Sequence, residues 1–252
     1  MNLNENIFRE YDIRGVVAED FQKDVVESLG KAFGSYIIEK GWKTVSVSGD
    51  IRETSLELKK AFISGLLITG AEVIDIGIVP TPTNYFSMYF LNTDAAVQIT
   101  GSHNPPEFNG FKFSCKKESF YGSKIQELKE MILNKNYIKR NGKFKIKNIT
   151  NDYIKMLKSK IQLNKKMKVI IDCGNACGCL TAPKTLKEIG VDVKELYCDV
   201  DSTFPNHHPD PTVDSNLSNI IAEIKKGDFD LGIAFDGDAD RIVAIDETGQ
   251  II

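Results

Sequence analysis

The 252-residue sequence has no run of about 18 apolar residues, so no membrane-spanning helix is expected. It also lacks a surplus of positive charge. Its 32 lysines and arginines are outnumbered by 35 acidic residues, giving a formal net charge of -3. Neither a nucleic acid nor an anionic membrane surface is therefore an expected partner. The amino-terminal MNLNENIFREYDIRG has no basic stretch leading into an apolar core, so no secretory signal is read there and a cytoplasmic location is expected. Cysteine is scarce and odd in number: Cys115, Cys173, Cys177, Cys179 and Cys198. Without a secretion signal these read as reduced thiols rather than a disulfide framework. Three of them fall in CGNACGC, whose spacing is not the paired C-x-x-C of a zinc site and whose glycines suit a tight strand-to-helix turn.

What is present is a soluble globular composition, 42% apolar and 27% charged, enough for a sizeable core in one large domain or two ordinary ones. Short β-branched runs alternate with helical patterns. TVSVS (44–48) reads as a strand; residues 54–69 then place Leu58, Ala61, Phe62, Gly65, Leu66 and Thr69 on one helical stripe closed by Gly70. EVIDIGI (72–78) reads as a strand, Thr81-Pro82 opens a helix with threonine as its cap, and DAAVQI (94–99) is the next strand. The pattern recurs with strands at 168–172, 191–197 and 231–235 and helices at 182–189 and 214–226. Such alternation predicts two consecutive α/β/α domains with mostly parallel mixed sheets. The segment 134–147 (NKNYIKRNGKFKIK) carries six basic residues and no acid, and reads as a solvated connector. It sets the expected division at 1–148 and 149–252.

Ligands of such sheets sit in loops beyond the carboxyl ends of strands. Two loops there carry chemistry. ITGSHNPPEFNGFKF (99–113) offers Ser102, His103 and Lys112 on a backbone that its prolines keep out of helix. DGDADR (236–241) packs three carboxylates into five residues, an arrangement that repels itself unless a hard cation sits among the oxygens, and sparse oxygen ligands suit Mg2+. An EF-hand is excluded because Arg241 stands where that loop needs glycine and the flanks read as strands. A serine presented to Mg2+ could carry a phosphoryl group whose oxygens ligate the metal. His103 reads either as a loop brace or as a proton-transfer group. His207 and His208 read as loop packing rather than metal ligands, and Phe86, Met88, Tyr89 and Phe90 as helix core.

Four stretches, in order, resemble the α-D-phosphohexomutases, the family of phosphomannomutase/phosphoglucomutase enzymes: FREYDIRG (8–15), TGSHNPPEFNGFK (100–112), FPNHHPDPTVDSNL (204–217) and DGDADR. TGSHNP is nearer the mannose/glucose branch than the phosphoglucosamine branch, where alanine commonly replaces that glycine. The resemblance implies reversible interconversion of hexose 1-phosphate and hexose 6-phosphate through a bisphosphorylated sugar, with hexose 1,6-bisphosphate as activator and intermediate. It implies that Ser102 is the phosphorylated residue and that Asp236, Asp238 and Asp240 hold Mg2+ with a phosphoserine oxygen. Lys112 would be the general acid/base or charge stabiliser, His103, Arg14 and Arg241 would contact substrate or phosphoryl oxygens, and Tyr11 would line the site. Ala239 and Ala176 stand where the family commonly has glycine. The family's GExSG sugar loop and its arginine/serine-rich phosphate loop do not occur in the sequence. The expectation is therefore a chain holding the first two of four domains, partnered by the missing carboxyl-terminal domains and weakly active or inactive alone. A non-catalytic phosphoprotein or metal-binding module, phosphoglucosamine mutase activity and phosphatase activity are the alternatives.

Overall fold

The structure, a computed structural model, describes residues 2–252. Its contacts divide into two units. The first comprises residues up to Ile78, Thr83–Gly101 and Pro106–Asn148; the second comprises Val79–Pro82, Ser102–Pro105 and Ile149–Ile252. Two short loop pieces of the amino-terminal half thus belong by contact to the second unit.

In chain order the first half forms β1 (Ile13–Val16), α1 (Val17–Asp20), α2 (Lys23–Glu39), β2 (Thr44–Gly49), α3 (Ser55–Ile68), β3 (Glu72–Ile78), α4 (Thr81–Phe90), β4 (Ala95–Ile99), β5 (Phe108–Cys115), β6 (Glu118–Ser119), α5 (Ser123–Leu133) and β7 (Lys143–Ile146). The sheet runs β1-β5-β4-β2-β3-β7, with β6 on β5. Strands β4, β2, β3 and β7 pair in parallel, whereas β5 is antiparallel to both β4 and β1. The period of two explains its burial on both faces. Val45 and Val47 of β2 enter the aromatic core beneath α2, α3 and α5, where the Phe33 and Phe113 rings lie 4.7 Å apart. The alternate residues Ser46 and Ser48 face α4 and bond Ser87 Oγ at 2.5 Å and Asn84 Nδ2 at 2.6 Å. The α3 stripe read from the sequence is buried throughout. It crosses α2 where Gly30 and Gly65 meet, a contact that a Cβ on either would block.

Two expectations are corrected here. The lysine-rich segment is not merely a connector, because β7 within it pairs with β3 as the sheet's edge strand. Its alternating Lys-Phe-Lys-Ile leaves all four residues exposed, a charged edge that discourages further pairing. Of the aromatic group on α4, Met88 is core but Tyr89 is 61% and Phe90 44% exposed, with Lys117 and Lys147 lying over their rings.

The second half adds α6 (Thr150–Lys160), β8 (Lys168–Asp172), α7 (Ala182–Glu188), β9 (Asp192–Leu196), α8 (Ser218–Ile224), β10 (Leu231–Phe235) and β11 (Ile242–Ile245). Its sheet runs β11-β10-β8-β9, parallel except for the β10–β11 hairpin. Val169 and Ile171 pack with Leu186 of α7, while Ile170 packs with Ile220 and Ile224 of α8. Helices therefore cover both faces, and the fold is two α/β/α domains with mixed, mostly parallel sheets. Only Ser218–Ile224 of the expected 214–226 helix is α-helical; Asp214–Leu217 is a 3-10 turn. Among the described residues no helix is long and apolar enough to cross a membrane.

Candidate functional site

The serine loop begins where β4 ends. Asp50, just past the neighbouring β2, accepts hydrogen bonds from Thr100 Oγ1 at 2.8 Å, Gly101 N at 3.1 Å and Arg52 N at 3.0 Å, and a further one from Ser55 Oγ. Arg52 pairs with the same carboxylate at 3.3 Å and donates to the Phe108 carbonyl at 3.1 Å. Arg14, on β1, is buried; it donates to the Gly101 carbonyl and to Asp12 at 2.5 Å. A Cβ at position 101 would overlap the Arg52 guanidinium and the Phe108 carbonyl, so alanine has no room there in this arrangement. The next residue, Ser102, is 4% exposed and has φ +50°, the left-handed region that a non-glycine residue occupies only under constraint.

Ser102 then meets the acidic loop. Its Oγ donates to Asp236 Oδ2 at 3.0 Å. Arg241 donates from Nη2 to Ser102 Oγ at 3.0 Å and to Asp236 Oδ2 at 2.7 Å, and also reaches His103 Nδ1. The other Asp236 oxygen accepts the Asp240 and Arg241 amides, each at 3.1 Å. Gly237 is required because the Ser102 carbonyl occupies the space of a side chain at that position. His208 Nε2 bonds the His103 carbonyl, tying the serine loop down at one more point.

Asp236, Asp238 and Asp240 each present an oxygen within 4.8 Å of the others; the first two are buried and the third is exposed. Burial first, then the charges of Asp238 and Asp240, push the Asp236 carboxyl up to about 6, with Arg241 opposing. Three converging carboxylate oxygens that repel one another fit a hard divalent cation and no soft one. Among the described residues this is the only such group. His207 is accounted for otherwise: its Nε2 lies 3.0 Å from Asp172 and its Nδ1 2.9 Å from the His208 carbonyl. Ala239 has φ +56°, the conformation glycine adopts freely, whereas Ala176 is extended and loses nothing by not being glycine. In CGNACGC the left-handed residues are Gly174 and Asn175.

Six sequence-predicted residues thus converge in the second unit: Ser102, His103, Asp236, Asp238, Asp240 and Arg241. Three belong to the first unit. Arg14 grips Gly101, Lys112 is half-buried on β5 opposite Gln98, and Tyr11 is 75% exposed with its ring 6.1 Å from that of Tyr121. Sequence reasoning missed Asp50, Arg52, Thr81 and His208 as parts of the arrangement. Asp50, Arg52 and Thr81 sit just beyond the carboxyl ends of β2 and β3, so position in the strand order could have flagged them. A cavity of about 190 Å3 in the second unit is lined by Pro80, Tyr153, Phe235 and Ala239 among others, and no charged residue lines it. It is not a phosphate site.

The family model described as phosphoglucomutase/phosphomannomutase, alpha/beta/alpha domain I, matches residues 5–139, and that for domain II matches residues 151–249. A protein of Pseudomonas aeruginosa named phosphomannomutase/phosphoglucomutase is 41% identical over 250 residues, covering 99% of this chain and 54% of the relative. A protein of Neisseria meningitidis named phosphoglucomutase is 39% identical over 253 residues, covering all of this chain and 55% of the relative. The crystal structure of a phosphoglucomutase/phosphomannomutase family protein from Burkholderia thailandensis superposes with a TM-score of 0.96 at 37% identity, covering 100% of this chain and 57% of that one. The chain spans about half the length of the curated relatives it matches.

Proposed function

Because the chain belongs to the phosphoglucomutase/phosphomannomutase family, we propose that it carries the phosphoryl-transfer centre of a mutase interconverting the 1- and 6-phosphates of mannose or glucose. The observation that carries this reading is the placement of Ser102 Oγ 3.0 Å from both Asp236 Oδ2 and Arg241 Nη2. A nucleophilic hydroxyl between an acidic loop and a guanidinium is arranged to hold a phosphoryl group.

Ser102 holds the phosphoryl group and passes it to a sugar hydroxyl, then takes back the phosphate at the other end of the hexose 1,6-bisphosphate. Asp236, Asp238 and Asp240 would hold Mg2+ beside the phosphorylated Ser102. When bound, Mg2+ supplies charge that offsets the transferring oxygens. Arg241 and His103 neutralise and orient the phosphoryl oxygens, since phosphoryl transfer depends chiefly on positioning and electrostatics. Arg14 fixes the peptide before Ser102. Lys112 takes the proton from the accepting hydroxyl and returns it to the leaving oxygen, and Tyr11 lines the sugar site. The divisions 1–148 and 149–252 then carry the serine loop and the metal loop respectively.

The test is transfer of one phosphate from glucose or mannose 1,6-bisphosphate onto the dephosphorylated chain, read by intact mass. Wild type should gain one phosphate in the presence of Mg2+, and Ser102→Ala none. Phosphate gained equally by Ser102→Ala refutes the assignment. Rapid release of inorganic phosphate with no stable adduct points to a phosphatase instead.

A further inference from the structure

Thr81, read from the sequence as the cap of its own helix, spends its hydroxyl elsewhere. Its Oγ1 donates to Asp238 Oδ2 at 2.5 Å, and its backbone N–H donates to the Asp238 carbonyl at 2.9 Å. Both residues are fully buried. One residue therefore grips the main chain and the carboxylate of the central acid of DGDADR, from 157 positions away in sequence. Pro80 and Pro82 flank it, and their rings restrict the backbone on either side.

We propose that Thr81 is a positioning residue for the metal-binding carboxylates, fixing the direction in which Asp238 faces and pinning the main chain of the acidic loop at Asp238; this rests on the metal reading above. The three acids are supported differently. Asp236 is held by Arg241 and by two amides of its own loop, and Asp240 is exposed with Arg241 3.6 Å away. Asp238 accepts from a neutral donor, the hydroxyl of Thr81. It orients the carboxylate without cancelling its charge, as a lysine or arginine would. Partners of this kind, one step removed from a metal, govern how well the ligands are preorganised, and their loss costs about 10- to 100-fold in affinity.

The experiment titrates the 252-residue chain with Mn2+ as probe, following unbound Mn2+ by electron paramagnetic resonance, with Mg2+ as competitor. Wild type should bind one Mn2+ that Mg2+ displaces and that is lost in Asp236→Asn. Thr81→Val keeps the shape but not the donor, and should bind about 10-fold more weakly. Thr81→Ser keeps the donor and should bind within about 2-fold of wild type, which a merely structural role would not predict. Thr81→Cys, a weak donor of similar size, should fall between them, and with Thr81→Ser it decides the matter if Thr81→Val does not fold. Wild-type affinity in Thr81→Val or Thr81→Cys, or equal weakening in Thr81→Ser, overturns the proposal while leaving the metal centre standing. Absence of Mn2+ binding by wild type, or binding that survives in Asp236→Asn, overturns the metal reading and this inference with it.

Discussion

Raising the pH from 4.5 to 6.5 in the presence of a chelator should destabilise the second unit, and Mg2+ should reverse the effect. Burial and the neighbouring charges of Asp238 and Asp240 raise the Asp236 carboxyl from 3.8 to about 6. Between those values the folded state keeps a proton that the unfolded state releases. The stability it contributes is complete below about pH 4 and is lost as the pH rises through 6. At 1.36 kcal/mol per pH unit the full loss is about 3 kcal/mol, of which about 2 kcal/mol falls between pH 4.5 and 6.5, lowering Tm by roughly 7 °C for a unit of this size. A cation that binds ionised carboxylates opposes the loss, so the Mg2+-induced rise in Tm should be small at pH 4.5 and near its maximum at pH 7. Far-UV circular dichroism with and without EDTA reads the transition. Trp42 is the sole tryptophan and lies in the first unit, so its fluorescence serves as an internal control for that unit. Equal chelated stability at pH 4.5 and 6.5, or the same Mg2+ shift at both, refutes the account of the three carboxylates as a cation site.

Other consequences are separable from this one. Burial lowers the His207 pKa, but its hydrogen bonds to Asp172 and the His208 carbonyl more than offset that, leaving it above 6.5. Its contribution is complete below 6.5 and is lost as pH rises further, so thermal melts of His207→Gln should show a flatter decline above pH 6.5, insensitive to Mg2+. Ala239→Gly should relieve the left-handed strain at φ +56° and, after the extra chain entropy of glycine, raise Tm of the second unit by about 2 °C in calorimetry. Asp50→Asn strands the buried Arg52 guanidinium and should cost about 3–5 kcal/mol in urea denaturation of the first unit.

Both loops were legible in the sequence because loop chemistry is local: DGDADR is dense in one charge, and the prolines after Ser102 bar helix. The central strands and the α3 stripe were legible because their periods are clean. What escaped has physical reasons. Strand β5 is antiparallel within a largely parallel sheet, and the β-strand period carries no sign of direction. The edge strand β7 alternates lysine with apolar residues, a composition shared by solvated linkers. Asp50, Thr81 and His208 act through hydrogen bonds to partners 51, 157 and 105 positions away, which no window of sequence reveals. Position 101 was read only as a branch marker. The structure gives the glycine there a steric cause, the Phe108 carbonyl together with the Arg52 guanidinium.

The peptides around Ser102 are held one after another. Asp50 and Arg14 fix Gly101, the Ser102 carbonyl lies against Gly237, and His208 holds the carbonyl of His103. These anchors over-determine the backbone, which is how a serine is kept at φ +50°. The main chain thus fixes where the side chain of Ser102 starts, and Asp236 and Arg241 hold its hydroxyl from there. Ser102→Thr tests this, because threonine retains the nucleophile but adds a β-branch, which is poorly tolerated at positive φ. The variant should lose about 1 kcal/mol of stability by urea denaturation, of the order of the left-handed penalty. It should also accept phosphate from glucose 1,6-bisphosphate at least about ten-fold more slowly, as expected when a reacting atom is displaced from its productive position. A threonine variant that is phosphorylated at the serine rate would show that the hydroxyl needs no such enforcement, and that the strain at Ser102 serves packing rather than chemistry.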